Sequence, residues 1–237
     1  MRFQAAESLA EQIAQYIGQQ IITGALAPKQ RVQELKVAGE LNVSRGSVRE
    51  ALLLLERRHL VNIFARRGAV VADLTASDAE SLYDMYASLL ATLARLTAQR
   101  WQPDELAPLE AHLRHLERLS SQVEINAEQL VEEGFGLMDL CLPIANNPFL
   151  TETLQNFRFA VSRMYFLATK DNPQEFRYSV RFFSGVVEAV RLRDPDTINR
   201  LVSEFAQHQK QLLVSFLIAS EGGSSRSAWQ SAPVPQA

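Results

Sequence analysis

The sequence predicts a mainly α protein in two parts: a small head of three helices and a β-hairpin, followed by an all-α antiparallel helical bundle. Three observations predict it. Apolar residues recur at helical spacing through most of the 237-residue chain. Only residues 61–72 read as strands, in two short β-branched runs around a turn. Beyond Asp73 three helix starts share one signature, Asn147-Pro148, Asn172-Pro173 and Asp194-Pro195. In each, the first side chain caps the helix and proline takes the first helical position, where its missing N–H does no harm.

The head is expected over residues 1–75. Leu9, Ile13, Ile17 and Ile21 fall on one face of a helix from Glu7 to Thr23, which Gly24 and Pro28 end. A second helix spans about Gln33 to Leu41, with Leu35, Ala38 and Leu41 as its apolar contacts. Asn42-Val43 is a tight link, and Ser44 is a good cap for a third helix whose Val48, Leu52 and Leu55 face inward. Val61–Phe64 and Ala69–Ala72 form the hairpin around Ala65-Arg66-Arg67-Gly68. The body, 76–220, is expected to hold six helices, the first opened by a Ser77/Glu80 capping box and the second running from Pro103 to about Val123. Residues 221–237, EGGSSRSAWQSAPVPQA, have the composition of a disordered tail.

Composition narrows the function. No apolar run approaches the ~20 residues that span a bilayer, and the N-terminus lacks the apolar core of a secretory signal. The single Cys141 lies in an apolar stretch and suits a small core residue in a reducing cytoplasm. The net charge of −3 conceals an asymmetry: residues 1–75 carry ten Lys/Arg against seven Asp/Glu, and the remainder is acidic. A basic head on an acidic body suits an anion-binding module joined to something else.

Arg45 and Arg49, four apart, project together from the start of the third helix, away from the apolar stripe. The capped N-terminus behind them favours anions, and arginine forks grip phosphate or the acceptor edge of guanine in the major groove. Helix, link, helix and a hairpin carrying Arg66 and Arg67 is the order of a winged helix-turn-helix. A solvated charged face on a small helical domain is the competing reading.

The run IITGALAPKQRVQELKVAGELNVSRGSVREALLLLERRHLVNIFARRGAVVADL resembles the winged helix of the GntR family of bacterial transcription regulators. The VSRxxVReAL core, the G.L.P lead-in and the RG..V wing carry the resemblance. The helical body is similar to the FCD domain of the FadR-type branch. The resemblance implies that Arg45 and Arg49 read DNA, that Ser44 and Ser47 contact phosphate, and that Arg67-Gly68 forms the wing tip. Two departures are Lys29, where the family has glycine, and Leu35, where many members place a DNA-touching arginine.

FCD domains usually hold a metal on an aspartate and three histidines beneath a pocket for a small organic acid. Aligned on the Asn-Pro and Ala…Asp landmarks, those positions fall here on Gly134, Met138, Phe183 and Phe205, and a cavity-facing Arg/Glu pair on Tyr86 and Leu90. These residues cannot bind a borderline divalent cation, so no metal or other cofactor is expected. His112 and His115 share a helix face but read as solvated. Two outcomes follow for the cavity: it accepts an apolar, acyl or aromatic effector, or its aromatics fill it and the bundle serves only for dimerisation. Tyr86, Leu90, Met138, Phe182, Phe183 and Phe205 are the lining candidates, each equally readable as plain core. Arg158 and Arg163 would meet an anionic head group, or face solvent.

No GxSxG, Gly-rich phosphate loop or HExxH stands in the chain, so an enzyme is not expected. The resulting expectation is a cytoplasmic, homodimeric, effector-responsive regulator, a repressor by preference, on a palindromic operator in double-stranded DNA, with no membrane partner. The alternative is a constitutive DNA-binding dimer with no effector.

Overall fold

A computed structural model describes residues 8–122, 126–170 and 172–222. The elements are α1 (Leu9–Ile22), α2 (Glu34–Leu41), α3 (Arg45–Arg57), β1 (Val61–Phe64), β2 (Gly68–Val71), α4 (Ala76–Arg100), α5 (Pro103–Ser120), α6 (Ala127–Ala145), α7 (Pro148–Thr169), α8 (Pro173–Arg191) and α9 (Pro195–Gly222). Of the described residues 78% are helical, as the periodicity predicts. The expected start of α1 at Glu7, the expected end of α5 at Val123 and residues 223–237 of the tail lie outside the described residues, whereas residues 221–222, expected in the tail, are the last of α9. The residues divide into two compact units. One gathers the chain through Thr75 with Asn156–Arg163 of α7; the other gathers Ala76–Gln155 and Met164–Ala219.

In the first unit, Ile13, Ile17 and Ile21 of α1 are buried with Val48, Ala51, Leu52 and Leu55 of α3. Leu60, Val61, Ala69 and Val71 close the same core from the hairpin. The strands pair antiparallel in the register Val61↔Val71 to Phe64↔Gly68. Two expected contacts are corrected. Leu9 is exposed, because Ser8 caps α1 through the Glu11 N–H and the first turn extends past the core. Leu35 is 67% exposed, and α2 instead buries Val37 and Ala38. Asn42 ends α2 in the left-handed region, φ 52°, a conformation asparagine tolerates better than most side chains.

Lys29 explains the glycine preference of its position. Its φ is +64°, and its N–H donates to the Val71 carbonyl at 3.0 Å, which holds the lead-in turn against β2. A β-carbon in this region costs roughly 1–2 kcal/mol. The exposed Lys29–Asp73 ion pair at 2.7 Å returns less than about 1 kcal/mol. Lys29→Gly is therefore expected to stabilise the protein by about 0.5 kcal/mol, read as a higher urea midpoint; a lower midpoint would show that the ion pair outweighs the strain.

In the second unit, one cluster joins Leu109 and Leu116 of α5, Leu130 and Leu137 of α6, and Phe176 and Val180 of α8. Another joins Ala94 and Ala98 of α4, Phe182 and Val190 of α8, and Ile198 and Val202 of α9. The three proline starts hold as expected. Asn147 Oδ1 accepts from Leu150 N, Asn172 Oδ1 from Gln174 N, and Asp194 Oδ1 from Asp196 N and Thr197 N. The Ser77/Glu80 box does not open α4. That helix begins at Ala76, so Ser77 is already inside it and its carbonyl accepts from Ser81 Oγ.

Candidate nucleic-acid interface and the core of the helical body

Ser44 fixes the first turn of α3. Its Oγ accepts from the Ser47 N–H at 3.1 Å and stands 2.9 Å from Ser47 Oγ. Burial of Val48, Leu52 and Leu55 turns the opposite face outward, where the Arg45 and Arg49 side chains are 54% and 63% exposed. The helix dipole and the first-turn N–H groups add partial positive charge at this end.

Both arginines reach one carboxylate. Arg49 Nε donates to Glu34 Oε2 at 2.9 Å, and Arg45 Nη2 lies 3.6 Å from the same oxygen. Glu34, the first residue of α2, is only 19% exposed. Two guanidiniums and one carboxylate leave the trio net positive. Arg49 commits its Nε to Glu34, so its Nη fork, the part that grips guanine or phosphate, keeps no partner among the described residues.

At the wing, Arg66 and Arg67 are exposed in the turn between β1 and β2, where the Arg67 N–H donates to the Phe64 carbonyl at 3.2 Å. Arg66 (φ 68°) and Gly68 (φ 74°) are both left-handed. A side chain at Gly68 would be strained and would come within 3.8 Å of Arg31 Nε and Nη2. Arg31, bridged to Val70, thus adds a guanidinium beside the wing.

In the body, Leu90, Phe182, Phe183 and Phe205 gather in one packed cluster, and Tyr86 pairs with Met138. Phe182 and Phe205 stack at 4.0 Å between ring centres with planes 6° apart, and Phe183 tilts against Phe182 at 5.3 Å. Leu90 packs on the same cluster. The Tyr86 hydroxyl donates to Met138 Sδ at 3.4 Å, and a β-carbon on Gly134 would sit 3.3 Å from the Phe183 ring. Gly134, Met138, Phe183 and Phe205 offer no oxygen or nitrogen donor, and the one sulfur is engaged by Tyr86, so these residues do not fit a divalent cation. Among the described residues no group of three or more His, Cys, Asp or Glu is placed to hold a metal ion. His112 and His115 turn instead to Glu133, at 3.5 and 3.3 Å.

Arg158 and Arg163 belong to the compact unit that holds the head, and the aromatic cluster belongs to the other. Arg163 is buried rather than solvated and donates from Nη1 to the Ala72 carbonyl at 2.9 Å. Burial pulls its guanidinium down to about 10, partly opposed by Asp73, so it stays charged at neutral pH. Burial pushes the Cys141 thiol up to about 12, which leaves it a poor nucleophile.

Sequence reasoning missed Glu34, Arg31, Tyr83 and Gln209. The Tyr83 hydroxyl and both polar ends of the Gln209 amide are buried without a hydrogen-bond partner among the described residues. Desolvation, with Tyr165 and Tyr86 nearby, pushes the Tyr83 hydroxyl far above its ordinary value.

Comparison with known proteins agrees with this architecture. The family described as "Bacterial regulatory proteins, gntR family" matches residues 9–71, and the FCD domain matches residues 81–208. The HTH-type transcriptional repressor RspR of Escherichia coli K12 is 25% identical over 201 residues, 83% of this chain and 85% of that one. The HTH-type transcriptional regulator McbR of the same strain is 22% identical over 207 residues, 87% and 93% of the two chains. The solved structure of E. coli McbR/YncC has a TM-score of 0.75 at 21% identity, covering 88% of this chain and 98% of that one. No helix among the described residues is long and apolar enough to cross a membrane. With a capped, arginine-bearing third helix, a basic wing and a helical body matched along their length, the chain belongs to the GntR family of DNA-binding transcription regulators, in the branch whose body is an FCD domain.

Proposed function

We propose that this regulator acts in the cytoplasm as a homodimer, represses transcription from a palindromic operator, and changes its operator affinity on binding a small apolar, acyl or aromatic effector. The observation that carries the DNA reading is the outward Arg45/Arg49 pair on a serine-capped helix, with Arg66 and Arg67 on the wing. Two equal heads on a two-fold axis would read inverted half-sites. The repressor named among the relatives, RspR, supports the sign of the effect.

The effector reading is supported by Tyr83 and Gln209. A buried polar group without a partner costs roughly 1–3 kcal/mol, and three such atoms stand on helices that also carry aromatic lining residues. A ligand with an apolar body and one hydrogen-bonding end would satisfy both sets. The stacked Phe182–Phe205 pair and the Gly134–Phe183 approach favour the second reading, a bundle filled by its own aromatics that serves only for dimerisation.

Selection from a random-sequence duplex library tests the first part: an inverted repeat is expected, and a single half-site or no enrichment would refute it. A thermal-shift screen of fatty acids, acyl-CoAs and aromatic acids tests the second. A compound that binds only the folded state must raise the melting temperature, whereas silence throughout supports the filled bundle.

A further inference from the structure

We propose that Glu34 is the positioning residue of the DNA-reading surface: its carboxylate holds the Arg45 and Arg49 side chains in place and so sets the preference for the protein's own duplex over unrelated DNA. This rests on α3 being the recognition helix.

The geometry is that of a holder. One oxygen, Glu34 Oε2, serves both guanidiniums, at 2.9 Å from Arg49 Nε and 3.6 Å from Arg45 Nη2. The side chain providing it is 19% exposed, against 54% and 63% for the two it holds. Its backbone is anchored through Val37 and Ala38, which α2 buries in the head core. The carboxylate also sits in the first turn of α2, where the helix dipole favours it.

A negative charge in a surface that meets phosphate is a liability for general affinity, because that affinity grows with the positive charge presented. What Glu34 returns is order. Arginine side chains are rich in rotamers, and discrimination between bases depends on a fork already aimed. Because Glu34 takes Arg49 at Nε, the grip and the reading edge use different nitrogens. The carboxylate thus lowers non-specific binding and raises selectivity together.

The test uses the full chain, the duplex it most enriches from a random library, and a scrambled duplex of equal length and composition. Glu34→Gln keeps the length and shape of the side chain and removes its charge. Affinity for scrambled DNA is expected to rise about threefold, and the ratio of selected to scrambled affinity to fall about tenfold. The slope of log affinity against log salt steepens by about one, as for one added cationic contact. An unchanged ratio overturns the proposal. Should Glu34→Gln melt well below the native chain, Glu34→Asp, which keeps the charge at the start of α2 but draws it back, carries the test: a ratio reduced about threefold is expected, and an unchanged one overturns the proposal. Arg49→Ala separates the two levels. If it leaves binding to the selected duplex intact, the recognition-helix assignment fails and Glu34's role with it. If it weakens binding while Glu34→Gln preserves the ratio, only the role of Glu34 falls.

Discussion

Arg49→Ala is expected to weaken binding to the selected duplex by about 10- to 100-fold, since one good bidentate arginine contact is worth about 1–3 kcal/mol of discrimination. The fold should survive. Arg49 is 63% exposed on α3, and alanine is the best helix former. The substitution also has a second consequence. With Arg49 gone, the Glu34 carboxylate keeps only Arg45 among the described residues, at 3.6 Å, and presents a poorly compensated negative charge to phosphate. The loss should therefore lie toward the upper end of the range and should extend to unrelated DNA. Fluorescence anisotropy at two salt concentrations, with a melting curve beside it, reads affinity, salt slope and stability together. Native-like binding by a native-like fold would remove α3 from the interface.

Phe182→Ala is expected to destabilise the body by about 3–5 kcal/mol, the range for emptying a buried aromatic position. Phe182 is buried, lies flat on Phe205 at 4.0 Å and touches Phe183 at 5.3 Å, and an aromatic pair contributes about 0.5–1.5 kcal/mol beyond its area. The void left behind would be apolar and dry, so benzene or indole should restore part of the lost melting temperature. Urea unfolding measures the loss, and the rescue is read by thermal shift. The size of the loss also separates the two readings of the body. A cost below about 1 kcal/mol would mean that the rings already border open space that a ligand can use; a full cost means that they fill it.

The head was legible almost to the residue, because its elements are specified locally. The cap of α3 is a serine followed by helical periodicity, and its outward pair is four residues apart. What sequence reasoning lost was set by the crossing of elements. Glu34 lies fifteen positions before Arg49, and nothing in the spacing of α2 reveals that it faces α3. Leu35 and Leu9 have the right chemistry for a core, yet periodicity fixes a face without saying how far the core extends along it. Arg163 was hardest to read. Charge argued for solvent, whereas its partner is a backbone carbonyl 91 residues away, which no side-chain pattern announces. In the body, Phe183 and Phe205 meet in one cluster and Gly134 stands against the Phe183 ring, but whether aromatic rings line a space or occupy it depends on rotamers, which no pattern in the sequence carries. Tyr83 and Gln209 passed unnoticed because a lone polar residue on an apolar face carries no periodic signal.

The junctions of the helical body carry a mechanical consequence. Two or three residues separate α4 from α5, α6 from α7, α7 from α8 and α8 from α9, and each of these corners delivers the chain onto a proline. Proline fixes one dihedral at the start of the next helix, and an Asn or Asp oxygen clamps three of those starts. Such corners leave little slack for a helix to slide along its neighbour or to unwind by a turn. At these four corners a change of packing would therefore favour rings turning in place or rods pivoting about their ends over one helix sliding past another.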